Sequence, residues 1–361
     1  MFAEIRYYHL RLFLSRWFFG DKFLYQETAP VNRHIHCTLT RRLAMYRPQI
    51  KVVDCTIRDG GLMNDWHFPK PMVKDVFHGL AEAGVDYVEM GYRVDKKMFS
   101  PKDFGPWRFC DEKDLREVAY ECDTKVSVMC DVGRTDYDAF IPASESIVKL
   151  FRVATYVKDI DKAIHLINHI KGMGYMVTCN IMAVSTNLEP DLDEALDQLA
   201  KTDVDVVYLV DSFGYFYSEQ IHYLADKYHE RLPGKELGIH CHDNQRLAFA
   251  NTIEGIIKNI NFVDGSIYGM GRGGGNCTTE LLLAFLKNPK FNLSPVLALA
   301  EKYFISLKQE LKWGYELPFM LTGNLNKHPR PALAHVKGSL NGEHKSIVDF
   351  YNELIGVDDA V

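Results

Sequence analysis

The sequence has no CxxC pair, no long run of Lys and Arg, no uninterrupted apolar stretch of membrane-spanning length, and no GxGxxG helix start after its first strand-like run. Each absence excludes a class of protein. The eight cysteines stand singly at positions 37, 55, 110, 122, 130, 179, 241 and 277, several inside apolar strand-like runs. They form no paired-cysteine framework and read as small core residues in a reducing, cytoplasmic compartment. The short apolar runs argue against a spanning helix. A formal charge of −6 with a pI near 6.2 gives no nucleic-acid footprint and fits a small anionic substrate held by a local positive site.

What is present is ample for a large core: 361 residues, 47% hydrophobic and 12% aromatic, without disorder-like bias. Residues 1–49 differ from the rest. They mix aromatics with Arg and His, show no clean period, and lead to a polar stretch in which Met45 precedes the first strand-like run. A targeting segment, a disordered extension and translated upstream sequence compete here; Glu4, Asp21 and Glu27 weaken the first, and residues 1–44 are expected to be dispensable.

From position 51 the chain alternates short β-rich runs with helical spacing. Eight runs, 51–56, 86–92, 125–131, 150–156, 176–183, 206–211, 237–243 and 262–268, are separated by stretches such as 72–83, 160–173 and 192–202 with helical periodicity. Eight βα units over residues 50–290 predict an α/β fold, a (β/α)8 TIM barrel, followed by a C-terminal helical extension over 291–361. A doubly wound sheet is the alternative, but it usually carries a glycine fingerprint after its first strand.

A barrel places its chemistry at strand C-termini, and polar residues gather there. Arg58 and Asp59 follow the first strand, Glu89 lies late in the second, Asp131 ends the third and Asp211 the sixth. His240 and His242 close the seventh, and Gly269 to Asn276 follows the eighth. Strand side chains alternate faces, so both histidines point the same way, and a carboxylate from a distant loop can complete a divalent-metal site. Taken singly, each residue has a plainer reading: an Asp after a strand caps a turn, a barrel Glu forms an internal salt bridge, a pair of rim imidazoles is hydrogen-bonded, and a glycine run is a loop.

Four motifs in order, Asp54-Cys-Thr-Ile-Arg-Asp-Gly60, Glu89, His240-Cys-His-Asp-Asn244 and Gly269-Met-Gly-Arg-Gly-Gly-Gly-Asn276, resemble the DRE-TIM metallolyase superfamily, which includes 3-hydroxy-3-methylglutaryl-CoA lyase. The glycine loop and the lack of a Gln soon after Arg-Asp-Gly make the chain look most like the 4-hydroxy-2-oxo acid aldolases. That resemblance implies a metal-dependent retro-aldol cleavage giving a pyruvate enolate. Asp59, His240 and His242 would hold Mn2+ or Mg2+, with Asn276 either a further ligand or a loop hydrogen-bonding residue. Arg58 would stabilise the enolate oxygen. Arg152 either anchors a carboxylate or neutralises barrel acids, and Gly273 and Gly274 are expected to bring backbone N–H groups near the substrate.

The resemblance fails at the general base, because those aldolases carry a His where this sequence has Leu62. His67, Glu89 and Tyr315 are the candidates, although His67 could instead pack beside Trp66. Two further readings stay open: a Claisen-type acyl-CoA condensing enzyme, and a metal-binding barrel acting as a partner subunit. A homo-oligomer is expected, acting on a small 2-oxo acid, with no nucleic acid and no membrane. Family resemblance alone adds an aldehyde dehydrogenase partner.

Overall fold

The computed structural model describes residues 47–340, 342 and 346–356, so the expectation for residues 1–44 lies outside the described residues. Eight strands, β1 (Lys51–Asp54), β2 (Tyr87–Tyr92), β3 (Lys125–Asp131), β4 (Val148–Thr155), β5 (Met176–Ile181), β6 (Val206–Asp211), β7 (Glu236–Cys241) and β8 (Phe262–Gly265), close in chain order into a barrel. Every neighbouring pair is parallel, including β1 with β8. This is the (β/α)8 architecture expected from the periodicity. β1 stops short of position 56 because the chain turns at Cys55 into the short helix Thr56–Gly60, with the Asp54 side chain accepting the Thr56 N–H.

The outer helices follow from apolar residues at helical spacing. Lys70–Glu82 buries Met72, Val73, Val76, Phe77 and Leu80, and Ile160–Gly172 buries Ile160, Ala163, Leu166, Ile167 and Ile170. All described cysteines are unpaired, and all but Cys122 are buried, as core residues should be. After β8 the chain is helical, and Phe319, Ala332, Phe350 and Leu354 form a small separate cluster. Asn244 ties that cluster to the barrel mouth by donating to the Phe319 carbonyl at 3.0 Å. Among the described residues no helix is long and apolar enough to cross a membrane.

Inward-facing side chains change character along the barrel. Val53, Val206, Tyr208, Val210 and Phe262 pack together with Tyr87 and Met176, while Glu89, Arg152 and Asp264 are buried charges. β2 carries one extra residue against β3: Glu89 pairs with Ser127, but Tyr92 pairs with Met129. This bulge reverses the alternation and turns Tyr92 to the mouth of the barrel. Gly91 accommodates it at φ +147°, and a Cβ there would lie 1.9 Å from the Trp107 carbonyl oxygen. Gly91→Ala is therefore expected to cost about 3 kcal/mol in urea-unfolding experiments, through backbone strain and overpacking together. A cost below about 1 kcal/mol would show that the bulge relaxes freely.

Candidate active site and metal centre

Hydrogen bonds from the end of β1 reach across more than two hundred residues. Asp54 Oδ2 accepts the Thr279 hydroxyl at 2.6 Å, and Thr56 Oγ1 accepts the Ile267 N–H at 2.8 Å. Burial pushes the Asp54 carboxyl up to about 6, with the Thr279 and Thr56 bonds pulling against it. These bonds fasten helix Thr56–Gly60 to the segment after β8. Trp66 Nε1 donates to the Arg58 carbonyl at 3.0 Å, fixing the same helix from the other side. Arg58 and Asp59 are consequently held at the barrel mouth, both buried.

His240 stands one residue before the end of β7 and His242 just beyond it, with their rings 5.1 Å apart, centroid to centroid. His242 Nδ1 lies 3.3 Å from the Gly275 carbonyl, which can only accept, so Nδ1 carries the proton and Nε2 keeps its lone pair. His240 Nδ1 lies 2.9 Å from Asp264 Oδ2. Burial raises the Asp264 carboxyl, but Arg152 and His240 together hold it below the usual range, so a carboxylate selects the same tautomer for His240. Burial also pushes His242 down to about 3, only partly offset by Asp59, and the ring is neutral at physiological pH. At Asp59 burial works toward a neutral acid. The Arg58 guanidinium beside it, with Arg272, outweighs burial and keeps the group ionised.

Ligand atoms of Asp59, His240 and His242 all lie within 4.8 Å of one another. Asn276 Nδ2 donates to Asp59 Oδ2 at 2.8 Å and to the Met270 carbonyl at 3.1 Å, leaving a buried Oδ1 without a partner. A carboxylate, two imidazoles with Nδ1 tied back and an orphaned amide oxygen suit a divalent cation. Only glycine fits at 271 in this arrangement, because a Cβ there would stand 2.3 Å from Asn276 Nδ2 and 2.6 Å from Asp59 Oδ2. A second close trio, Cys55, His240 and Asp264, is less suited. Burial keeps the Cys55 thiol protonated, and it sits 3.1 Å from the Gly265 carbonyl, while Asp264 Oδ2 already serves Arg152 and His240.

Behind these residues runs a line of alternating charge. Arg58 Nη1 meets Asp59 at 2.5 Å and Nε meets Glu89 at 2.7 Å; Arg152 bridges Glu89 at 3.0 Å and Asp264 at 2.6 Å and stacks 4.4 Å from the Tyr208 ring. Such a chain tolerates burial because each charge has an opposite neighbour. The structure places Arg152 and Glu89 wholly inside the barrel, under the site and off the cavity wall.

Above them lies a cavity of about 70 Å³ walled by Arg58, Asp59, Tyr92, His240, His242 and Arg272, with Leu62 also on the wall. Leu62, Tyr92, Ala154, Met182 and Arg272 also wall an adjoining outer cavity of about 530 Å³. Four expected residues stand elsewhere. His67 is exposed, 3.3 Å from the Asp103 carbonyl; Tyr315 is exposed; a Cβ on Gly273 would meet the Phe319 ring; Gly274 packs on Asn244. Asp211 serves its turn, accepting the Tyr215 and Phe216 N–H groups, and burial pushes it up to about 7. Asp131, paired with Arg134, lines the outer cavity. Tyr92, Asn180, Ser212 and Arg272 line the inner one without having been anticipated as site residues.

Residues 49–301 match the HMGL-like family. The 4-hydroxy-2-oxovalerate aldolase of Pelotomaculum thermopropionicum is 31% identical over 251 residues, covering 68% of this chain and 72% of that enzyme. The oxaloacetate decarboxylase of Mycobacterium tuberculosis is 28% identical, covering 65% of this chain and 69% of its own. Among solved structures, the N-terminal domain of a candidate aldolase from Bacteroides vulgatus superposes with a TM-score of 0.70 at 28% identity, covering 81% of this chain and 98% of that one. The chain therefore belongs to the HMGL-like family, and it is a lyase.

Proposed function

We propose that this chain cleaves a carbon–carbon bond of a 4-hydroxy-2-oxo acid and releases pyruvate by way of its enolate. A divalent cation, Mn2+ or Mg2+, is held by Asp59, His240 and His242, with the Asn276 Oδ1 as a further ligand. The observation that carries this reading is the pair of imidazoles, each with Nδ1 tied back to a protein acceptor, beside an ionised carboxylate on the wall of the inner cavity. When bound, such an ion supplies Lewis-acid polarisation of the 2-oxo and carboxylate oxygens.

The protein's own groups supply the rest. Arg58 spends Nε on Glu89 and Nη1 on Asp59, which leaves Nη2 to donate to the oxygen where enolate charge develops. Arg272, whose Nη2 reaches only the Ser212 carbonyl, attracts the substrate carboxylate. Leu62, Met129 and Met182 make part of the wall apolar and limit water. Tyr92 has no hydrogen-bond partner among the described residues, and burial raises its phenol, so it remains a proton donor suited to the enolate carbon.

Leu62 favours a second reading. Retro-aldol cleavage must remove a proton from the 4-hydroxyl, and Leu62 cannot take it. Decarboxylation of a 2-oxo acid bearing a 3-carboxylate needs no such base, because the bond electrons pass directly into the enolate as CO2 leaves. The relative from Mycobacterium tuberculosis carries that activity in its name. A substrate panel separates the readings: pyruvate release from 4-hydroxy-2-oxo acids, CO2 release from oxaloacetate, and thiol release from acetyl-CoA plus 2-oxo acids. The expected result is metal-dependent pyruvate release from a 4-hydroxy-2-oxo acid. Thiol release would assign the condensing alternative, and silence in all three with metal bound would favour a partner subunit.

A further inference from the structure

The outer cavity holds more positive charge than its own carboxylates neutralise. Arg108, Arg134, Lys158, Arg272 and Arg330 line it together with Asp131 and Asp159. Asp131 is taken by Arg134 at 3.3 Å, and Asp159 by Lys162 at 2.6 Å. Arg108 is the unusual member. It is 6% exposed, its guanidinium stacks at 4.2 Å from the Trp66 ring, 4.6 Å from Phe99 and 4.9 Å from Tyr92, and its Nε has no hydrogen-bond partner. Among the described residues no carboxylate lies within ion-pair distance of Arg108 or Arg272. The Arg272 Nε is likewise buried and unpartnered.

Burying a guanidinium without a counter-charge is costly, and aromatic stacking offsets only part of that cost. The rings take none of the Arg108 N–H groups as a hydrogen-bond acceptor would, and those N–H groups are what grip a carboxylate or phosphate in bidentate fashion. Because the outer cavity adjoins the inner one and shares five of its wall residues, an anion here is placed to be the far end of the ligand whose 2-oxo acid head sits inside. The cavity is also much larger than a two-carbon aldehyde needs.

We infer that the aldehyde half of the substrate carries an anionic group, a carboxylate or a phosphate, bound by Arg108 with Arg330 at the rim. This inference rests on the reading of the inner cavity as a 2-oxo acid site. The substrate class is then a 4-hydroxy-2-oxo diacid or a phosphorylated 4-hydroxy-2-oxo acid, and the cleavage products are pyruvate and an anionic aldehyde.

Calorimetric binding to the full chain with Mg2+ present tests it without requiring turnover. 2-Oxopentanoate and 2-oxoglutarate share a five-carbon chain and differ in the distal carboxylate; 2-oxo-4-phosphonobutyrate places a phosphonate at the same end. The expected result is binding of at least one anionic compound about tenfold or more tighter than 2-oxopentanoate, the tighter one indicating carboxylate or phosphate. Arg108→Gln should bring that ratio below about threefold. Arg330→Gln, at an exposed position, should lower it about two- to threefold and decides the matter if Arg108→Gln does not fold. Equal binding of neutral and anionic compounds, or a ratio unchanged in the variants, overturns the inference and leaves Arg108 a packing residue. Failure of all three compounds to bind removes the 2-oxo acid reading and this inference with it.

Discussion

Replacing His240 and His242 together with alanine is expected to strip the protein of divalent metal while leaving the barrel folded. Both side chains stand at the C-terminal end of β7, His242 just beyond it, at the mouth, where residues serve function more than packing. Their partners keep other bonds: Asp264 retains Arg152, and the Gly275 carbonyl still accepts the Asp243 N–H at 2.8 Å. What disappears is two of the three protein groups whose donor atoms converge, and a lone Asp59 already engaged by Arg58 and Asn276 cannot hold the ion. Elemental analysis of dialysed protein should show near-stoichiometric metal in the parent and less than about a tenth of that in the double variant, with far-UV dichroism unchanged. Stoichiometric metal in the variant would place the ion elsewhere.

Arg58→Lys is expected to lower kcat by about a hundredfold while metal binding persists. Arg58 reaches Glu89 with Nε and Asp59 with Nη1 and still presents Nη2 to the cavity, a three-way arrangement available only to a planar fork. A lysine ammonium, strongly hydrated and at a single point, can keep one carboxylate contact but not the geometry toward a developing oxyanion. Loss of one such donor is worth about 3 kcal/mol of transition-state stabilisation. Steady-state kinetics on an identified substrate checks this. Near-normal turnover would make Arg58 a link in the buried charge chain and require another electrophile.

The barrel was legible because eight apolar runs at regular spacing leave little choice of topology. Asp59, His240, His242 and Asn276 were legible because alternation along β7 and the loops after β1 and β8 bring them to one end. Tyr92 was hidden by the bulge at Gly91: strict alternation puts Glu89 and position 91 inward and Tyr92 outward. Arg108 lies between β2 and β3 in a segment without strand or helix period, and only the folded chain stacks it on Trp66. Arg272 was visible as the interruption of a glycine run, but nothing local says that the loop turns it inward. Arg152 sits three residues before the end of β4 on an inward register, a depth that counting from the strand end could have found. His67 shows that nearness in sequence is a poor guide. Asp65 and Trp66 adopt positive φ, and their turn carries the next side chain to the surface.

The most direct test is hydrogen exchange at C3 of pyruvate in D2O, followed by proton NMR with Mg2+ as the metal. If the chain stabilises a pyruvate enolate and protonates it at carbon, microscopic reversibility requires it to form the enolate from pyruvate, whatever the other half of the substrate is. The predicted result is loss of the methyl proton signal that depends on both protein and metal, slows strongly in Arg58→Lys, and vanishes in the His240→Ala, His242→Ala double variant. No exchange above the protein-free rate, with metal and pyruvate both bound, would contradict enolate chemistry at this site.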